Sequence, residues 1–144
     1  MPFLRIDLAG PVDPEVKRRL LVESAHLFAE IIESDVARVR TQVHELPGDD
    51  FAVGGVPVSE SGVQAPFITL DLFRDRPAAQ HRALCERIPP LVAGIVGCPV
   101  ERTRLRINEV FPEGWAIGGV QASELRRAEI DARAAADAAD PPTP

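Results

Sequence analysis

Two similar segments decide the fold of this chain: PFLRIDL at positions 2–8 and PFITLDL at positions 66–72. They are 64 residues apart, and the same offset relates FAVGGV at 51–56 to WAIGGV at 115–120. No gap is needed between the two pairs, and one register held over a whole half of the chain indicates an internal duplication. The sequence therefore predicts two copies of one structural unit.

Each copy has the pattern of a strand, a helix, a second strand and a tight Gly-Gly turn. In the first copy, 3–8 is a short apolar run, and Asp13 followed by Pro14 is typical of a helix start. The helix is predicted to continue to about Glu33, and the alternation over 39–46 predicts the second strand. Helical spacing assigns the buried stripe to Val16, Leu20, Leu21, Leu27, Phe28, Ile31 and Ile32.

The second copy predicts the same elements, with a helix from about Pro77 to Val96. Pro89 and Pro90 should kink this helix, because a proline inside a helix removes a hydrogen bond and clashes with the preceding turn. Its inward-facing residues are expected to be Leu84, Ile88, Leu91, Val92 and Ile95.

A strand-helix-strand unit of this length joins parallel strands through a right-handed crossover. We therefore predict an α/β (α+β) fold in which two fused β-α-β units form a four-stranded mixed sheet with two helices on one face. Since the strands carry apolar residues on both sides, the uncovered face is expected to be buried in an oligomer.

One domain and a tail are predicted from this pattern. The boundaries are 1–120 for the domain, 2–55 and 66–119 for its two repeats, and 56–65 for the linker between them. Residues 121–144 form a charged, alanine-rich tail, in which Ser123 can cap a surface helix. The PPTP end of the tail is expected to be disordered.

Composition excludes several classes of function. Sixteen Lys and Arg residues against 22 Asp and Glu give a net charge of −6, which lacks the basic character of nucleic-acid-binding proteins. No segment approaches the roughly 18 to 20 apolar residues of a membrane span, and the amino terminus does not resemble a signal peptide, so we expect a cytoplasmic protein. Tyrosine is absent, and a lysine Schiff base would require Lys17, which is the only lysine.

The two cysteines indicate neither a metal site nor a disulfide framework. Cys85 and Cys98 belong to no CxxC motif or Cys/His cluster, and we expect both to be small buried hydrophobic residues. We accordingly predict no metal and no cofactor.

A candidate site forms around Pro2. Removal of the initiator methionine would leave Pro2 with a free secondary amine, which can act as a base without any histidine. Apolar burial and neighbouring cations both lower the pKa of such an amine towards neutrality. If the first strands of the two repeats are antiparallel, Pro2 faces Arg74 and Arg76. The alternative is that Pro2 merely precedes a strand and that the two arginines are a solvated pair.

The mirrored end of the sheet lacks this chemistry. Pro66 would face residues 9–12, where the offset partners of the two arginines are Gly10 and Val12. One end would thus combine a free amine with two guanidinium groups, while the other has neither. This asymmetry is what one active and one inactive site would look like.

These residues resemble the tautomerase superfamily, whose members have a catalytic amino-terminal proline and duplicated β-α-β units. The resemblance covers about Pro2 to Val120. The strand VRTQVHEL and the Gly-Gly turns are similar to 4-oxalocrotonate tautomerase, here as two copies in one chain. The segments FRDR and NEVFPEGWAIGG are similar to malonate semialdehyde decarboxylase.

The resemblance implies a tautomerase/MIF-like homotrimer, and it implies roles for seven residues. Pro2 matches the catalytic proline, Arg76 matches the carboxylate-binding arginine, and Arg74 with Arg76 matches the arginine pair of the decarboxylase. The second-strand arginine of the tautomerase is matched by Arg40 and Arg104. The aromatic residue that keeps the pocket dry is matched by Phe51 and Trp115.

Relatives that add water use a carboxylate near the proline, and here the expected positions hold Ala37 and Arg38. The other candidates for this role are Asp35, Glu45, Glu109 and Glu113. Among the histidines, His26 is expected to pack against the apolar stripe of its helix, while His44 and His81 have no repeat partner of chemical interest. Water activation is thus left open.

Three functions follow as hypotheses. The first is a tautomerase in which Pro2 acts as the general base on a small carboxylate with an enol or 2-keto group. The second is a hydrating decarboxylase or dehalogenase in which a protonated Pro2 acts as the acid. The third is a catalytically inactive trimeric binding or scaffold protein.

Overall fold

The structure is a computed structural model that describes residues 2–139. The first repeat contains β1 (Phe3–Ala9), α1 (Pro14–Ile31), β2 (Arg40–Leu46), β3 (Ala52–Val53), β4 (Val56–Pro57) and α2 (Val58–Ser61). The second contains β5 (Phe67–Phe73), α3 (Ala78–Val96), β6 (Arg104–Val110), β7 (Ala116–Ile117), β8 (Val120–Gln121) and α4 (Ala122–Leu125), and the chain continues into α5 (Arg127–Ala139).

The helix ends follow from local sequence. The Asp13 carboxylate accepts a hydrogen bond of 2.9 Å from the Glu15 N–H, and Pro14 occupies the first helical position, so α1 begins where the sequence predicts. It ends at Ile31, two residues before the predicted limit. α3 runs without interruption through Pro89 and Pro90.

A four-stranded mixed sheet is the centre of the fold. Its strand order is β2-β1-β5-β6, with β1 parallel to β2, β5 parallel to β6, and β1 antiparallel to β5. Arg5 lies opposite Thr69 in the central pair. These two residues are 64 apart, so the pseudo-twofold axis of the duplication passes beside them. The predicted fold of two fused β-α-β units is therefore confirmed.

Both long helices pack on one face of the sheet. Alternate strand residues point towards them and are fully buried: Leu4, Ile6 and Leu8 on β1, Ile68 and Leu70 on β5. The two helices contribute Leu20, Phe28, Leu84, Ile88 and Val92 to the same core. The predicted stripes are confirmed at these positions, while Val16, Leu27 and Leu91 pack against the margin of the core.

The opposite face of the sheet differs from the expectation of apolar residues on both sides. It carries Arg5, Asp7, Asp71 and Asn108 among phenylalanines, because only one face of each strand packs on helices. Arg5 pairs with Asp7 at 3.0 Å, and the Asn108 amide donates to Asp71 at 2.7 Å. This face therefore offers a partner both polar groups and aromatic rings.

Several sequence-based expectations about single residues are wrong. Cys85 is exposed and Cys98 is half-buried, because Cys85 lies beside the apolar stripe of α3 rather than on it. His26 is exposed, since the buried positions of α1 around it are Ser24 and Phe28 on the opposite side. Ser123 lies inside α4, whose cap position is Gln121.

The two repeats diverge only after their last short helices. The 64-residue equivalence continues beyond the predicted limits of 55 and 119, through α2 and α4. After α2 the chain enters β5, whereas after α4 it forms α5, a helix inside the predicted tail. The predicted disordered PPTP end lies outside the described residues.

Candidate active site

A cavity opens where β1 begins and β5 ends. Phe3 lies opposite Asp71, so the antiparallel pairing brings Pro2 beside Leu72 and the segment that follows β5. Pro2 and Arg76 line this cavity together with Leu72, Phe73 and Ile117. The sequence prediction that Pro2 faces the end of the other first strand therefore corresponds to the geometry.

Pro2 is held by the sheet on its carbonyl side. It is buried, and its carbonyl oxygen accepts a hydrogen bond of 3.0 Å from the Arg40 N–H. Pro66 is buried in the same way and accepts from the Arg104 N–H at 3.0 Å. The backbone at the two prolines is thus equivalent, and the difference between the two ends lies in the surrounding side chains.

Arg76 is placed in the cavity with unused hydrogen-bonding capacity. Its Nη1 donates to the Ile32 carbonyl at 2.9 Å and to Gln80 Oε1 at 3.1 Å. Its Nε is buried and has no hydrogen-bond partner among residues 2–139. Burial lowers the pKa of Arg76 below its ordinary value to about 10, with repulsion from Arg133 adding to the shift. The guanidinium stays charged at neutral pH and can donate charged hydrogen bonds to an anion.

Arg74 does not line the Pro2 cavity. Its guanidinium pairs with Asp75 at 3.2 Å and lies 4.5 Å from the centroid of the Phe111 ring. It borders a second, adjacent cavity that also contacts Arg133. Within one chain, the two arginines of the FRDR segment therefore point to different places.

The second-strand arginines have matching positions away from the cavity. Arg40 Nη1 donates to the carbonyls of Ala37 and Val39 at 3.1 and 3.2 Å. Its counterpart Arg104 donates to the carbonyls of Glu101 and Thr103 at 2.6 and 3.1 Å. Both side chains are exposed at the margins of the sheet.

The two aromatic candidates occupy different surroundings. Trp115 packs in a T-shaped arrangement against Phe73, with ring centroids 6.2 Å apart and an interplanar angle of 87°; Phe73 lines the cavity, whereas Trp115 does not. Phe51 is half-buried at the opposite end of the sheet, beside β3, and does not line the cavity.

A family model described as "Tautomerase enzyme" matches residues 2–61 and again residues 66–124. This chain belongs to the tautomerase family. Two 2-hydroxymuconate tautomerases are similar to it, from Pseudomonas putida at 36% identity and from Comamonas testosteroni at 34%. Each match spans 62 residues, which is 43% of this chain and 98% of the relative, so each relative is about as long as one repeat.

Solved structures match both repeats at once. A native fused 4-OT has a TM-score of 0.80 at 25% identity, and a fused 4-OT asymmetric trimer has a TM-score of 0.79 at 25% identity. Both alignments cover 85% of this chain and 98% of the other. Macrophage migration inhibitory factor of Toxoplasma gondii, at 15% identity and a TM-score of 0.70 over 82% of this chain and 97% of its own, shares the fold. The resemblance to a fused 4-OT-like tautomerase is confirmed.

Two glutamates proposed from the sequence of this tautomerase have structural partners instead. Lys17 Nζ lies 2.5 Å from Glu45, and His81 Nε2 lies 3.2 Å from Glu109. The two pairs are related by the 64-residue offset, so the expectation that His81 has no repeat partner of interest is wrong. The Lys17 hydrogen bond, followed by the Val12 N–H, holds the pKa of Glu45 below its usual range.

Asp35 and Glu113 do not line the Pro2 cavity either. The Asp35 carboxylate accepts the Ala37 N–H at 2.9 Å, which caps the short turn before β2. At the mirrored end near Pro66, Glu45 lies so close to Gly10 that a Cβ there would be 3.0 Å from the Glu45 side chain.

Sequence reasoning missed the charged wall of the cavity. Glu33 and Arg38 line it from the first repeat, and Arg126, Glu129, Ile130 and Arg133 line it from the carboxyl-terminal part of the chain. Burial acts to raise the pKa of Glu129, but Arg38 and Arg126 outweigh burial and hold that pKa below its ordinary value. The tail has no counterpart in the first repeat, so no offset could have placed it.

The unusual backbone conformation of Glu33 could have been predicted by comparing it with its offset partner in the second repeat. It has a φ of 52°, and its offset partner Gly97 has a φ of 81°. Both follow a long helix, and the hydrogen bonds from Ser34 to Ala29 and from Cys98 to Ala93 are equivalent. A glutamate thus occupies a left-handed position that favours glycine, at the edge of the cavity.

We predict that Glu33→Gly raises the free energy of unfolding by about 1 kcal/mol, because it removes the left-handed strain. Gly97→Ala should lower it by about the same amount. A Cβ at Gly97 meets nothing within 4 Å, so backbone conformation alone decides the second effect. Urea denaturation of both variants measures these changes, and a destabilised Glu33→Gly would contradict the strain assignment.

Proposed function

We propose that this protein is a keto-enol tautomerase that acts on a small dienol or 2-keto carboxylate, with Pro2 as the general base. The observation that carries the proposal is the shared cavity of a buried Pro2 and an Arg76 whose buried Nε lacks a partner among the described residues. The names of its curated relatives support 2-hydroxymuconate as the first substrate to test.

The proposed reaction is a proton transfer with no net change in composition. Arg76 binds the substrate carboxylate through charged hydrogen bonds and stabilises the negative charge that develops on the enolate. The Pro2 amine, neutral among apolar neighbours and guanidinium groups, takes the proton of the enol hydroxyl. It then returns that proton to a carbon of the conjugated chain.

The proposal includes a homotrimer. One of the related fused 4-OT structures is named as an asymmetric trimer, and the open sheet face of this chain combines polar groups with aromatic rings. In such an assembly Arg40, Arg74, Arg104 and Phe51 reach a reacting substrate only through a neighbouring chain, because none of them lines the Pro2 cavity of its own chain.

We predict that the mature chain begins at Pro2 and that Pro2→Ala lowers kcat/KM for 2-hydroxymuconate by roughly a hundredfold or more, the usual effect of losing a positioned acid or base. Pro66→Ala is the matched control, since Pro66 is equally buried but its nitrogen is a peptide amide. Ultraviolet absorbance of the dienol follows the reaction, and intact-mass spectrometry identifies the first residue.

Two results would contradict this role for Pro2. One is an active enzyme that retains Met1. The other is a folded Pro66→Ala variant that loses as much activity as Pro2→Ala. Absence of turnover with every dienol and 2-keto acid tested would favour the inactive binding protein.

Sedimentation velocity at micromolar concentration should give about three times the 15.6 kDa mass of the chain. The expectation follows from the sheet face opposite the two long helices, where Phe3 and Phe67 are only half-buried. A stable monomer would disprove the trimer.

A hydrating reaction is the second candidate, and Glu33 is the observation that favours it. The Glu33 carboxylate belongs to a residue with a left-handed backbone at the cavity edge, and it can take a proton from water while a protonated Pro2 donates one to the substrate. Glu33→Gln should then abolish hydration of malonate semialdehyde or a 3-haloacrylate while leaving tautomerisation intact. Equal loss of both reactions would show that Glu33 is not specific to water.

A further inference from the structure

The helix α5 belongs to the wall of the Pro2 cavity although it lies outside the family match. That match ends at residue 124, and α5 spans Arg127–Ala139. The 64-residue offset gives α5 no helical counterpart, because the corresponding positions, 63–75, belong to the connection into β5, to β5 itself and to the two residues after it. Any role of α5 is therefore specific to one end of the sheet.

Ion pairs hold α5 across this end. The Glu129 carboxylate lies 3.1 Å from Arg38, two residues before β2, and 3.0 Å from Arg126, which directly precedes α5. Ile130 is half-buried and borders both described cavities. These contacts place the next turn of α5, which contains Arg133, at the cavity that Arg76 lines.

That next turn places a second guanidinium beside Arg76. Arg133 is half-buried, follows Glu129 by four residues and lines the same cavity as Pro2 and Arg76. The positive charge of Arg133 acts to lower the pKa of Arg76, which shows that the two groups repel each other, while Glu33 offsets only part of the effect. Two cations held together in a partly desolvated cavity are unfavourable unless an anion lies between them.

A further observation indicates the same ligand. The Nε of Arg76 is buried in the cavity and donates to nothing between residues 2 and 139. A buried donor without an acceptor costs free energy, and a bound carboxylate oxygen would accept its hydrogen bond. Guanidinium groups bind carboxylates through paired, charged hydrogen bonds.

We propose that Arg133 of α5 is a carboxylate-binding residue that acts with Arg76 on the same anionic group of the substrate. The statement that this anion belongs to a substrate rests on the tautomerase activity proposed above, whereas the existence of the anion site does not. Arg133 thus has the position that the sequence pattern assigned to Arg74. In this arrangement α5 forms part of the binding site.

Binding of malonate, an inert carboxylate probe, tests this inference without any turnover. Isothermal titration calorimetry should show malonate binding to the wild-type chain and none of malonamide, its neutral analogue. Arg133→Met keeps an unbranched side chain but removes the guanidinium, and it should raise the Kd for malonate roughly tenfold to a hundredfold. Arg133→Lys should recover only part of the affinity, because it keeps the charge and loses the forked geometry.

Arg127→Ala is the matched control, since Arg127 is an exposed arginine of the same helix that does not line the cavity. It should leave the Kd unchanged. Backbone amide exchange of α5 should be the same in Arg133→Met as in the wild type, which separates lost binding from a displaced helix.

The outcomes separate this inference from the proposed activity. Arg133-dependent malonate binding by a chain that turns over no dienol would support the anion site and refute the tautomerase. Turnover by a chain whose malonate affinity and KM are the same with and without Arg133 would refute the anion site alone. A wild-type chain that does not bind malonate would also refute the anion site.

Discussion

The antiparallel pairing of β1 with β5 is the constraint on which the rest of this molecule depends. It joins two β-α-β units into one sheet and places the pseudo-twofold axis beside Arg5 and Thr69. Because the two first strands run in opposite directions, the start of each lies at the end of the other. Pro2 therefore meets the chain just before Arg76, and Pro66 meets the chain around Gly10.

The backbone is nearly symmetric, and the chemistry is not. At one end, the Glu45 side chain lies against Gly10 and pairs with Lys17. At the other, Arg76 has a buried Nε with no hydrogen-bond partner among residues 2–139, and Glu33 at the cavity edge has a left-handed backbone. A buried donor without an acceptor opposes stability. The two pseudo-equivalent ends of the sheet thus differ in their side chains, so that one backbone can carry a structural ion pair at one end and a candidate active site at the other.

Much of this arrangement was predictable from the repeat alone. The paired PFLRIDL and PFITLDL segments predict the strands, and their antiparallel contact predicts Pro2 near Arg76. The separation of Arg74 from Arg76 was not predictable from spacing, since Asp75 between them has a φ of 65° that redirects the chain. The exposure of His26 depended on helical phase. The position of α5 depended on ion pairs between segments with no internal counterpart, such as Arg38 with Glu129.

The cavity is lined by residues from near both ends of the described chain. Pro2 leaves the ribosome before Arg133, which follows it by about 130 positions. The parallel contact of β1 with β2 is available once the first repeat has been synthesised, but the wall that α5 supplies arrives after both repeats. A chain that stops before α5 thus has Pro2 and Arg76 without Glu129 and Arg133. Completion of the cavity wall therefore requires synthesis of α5.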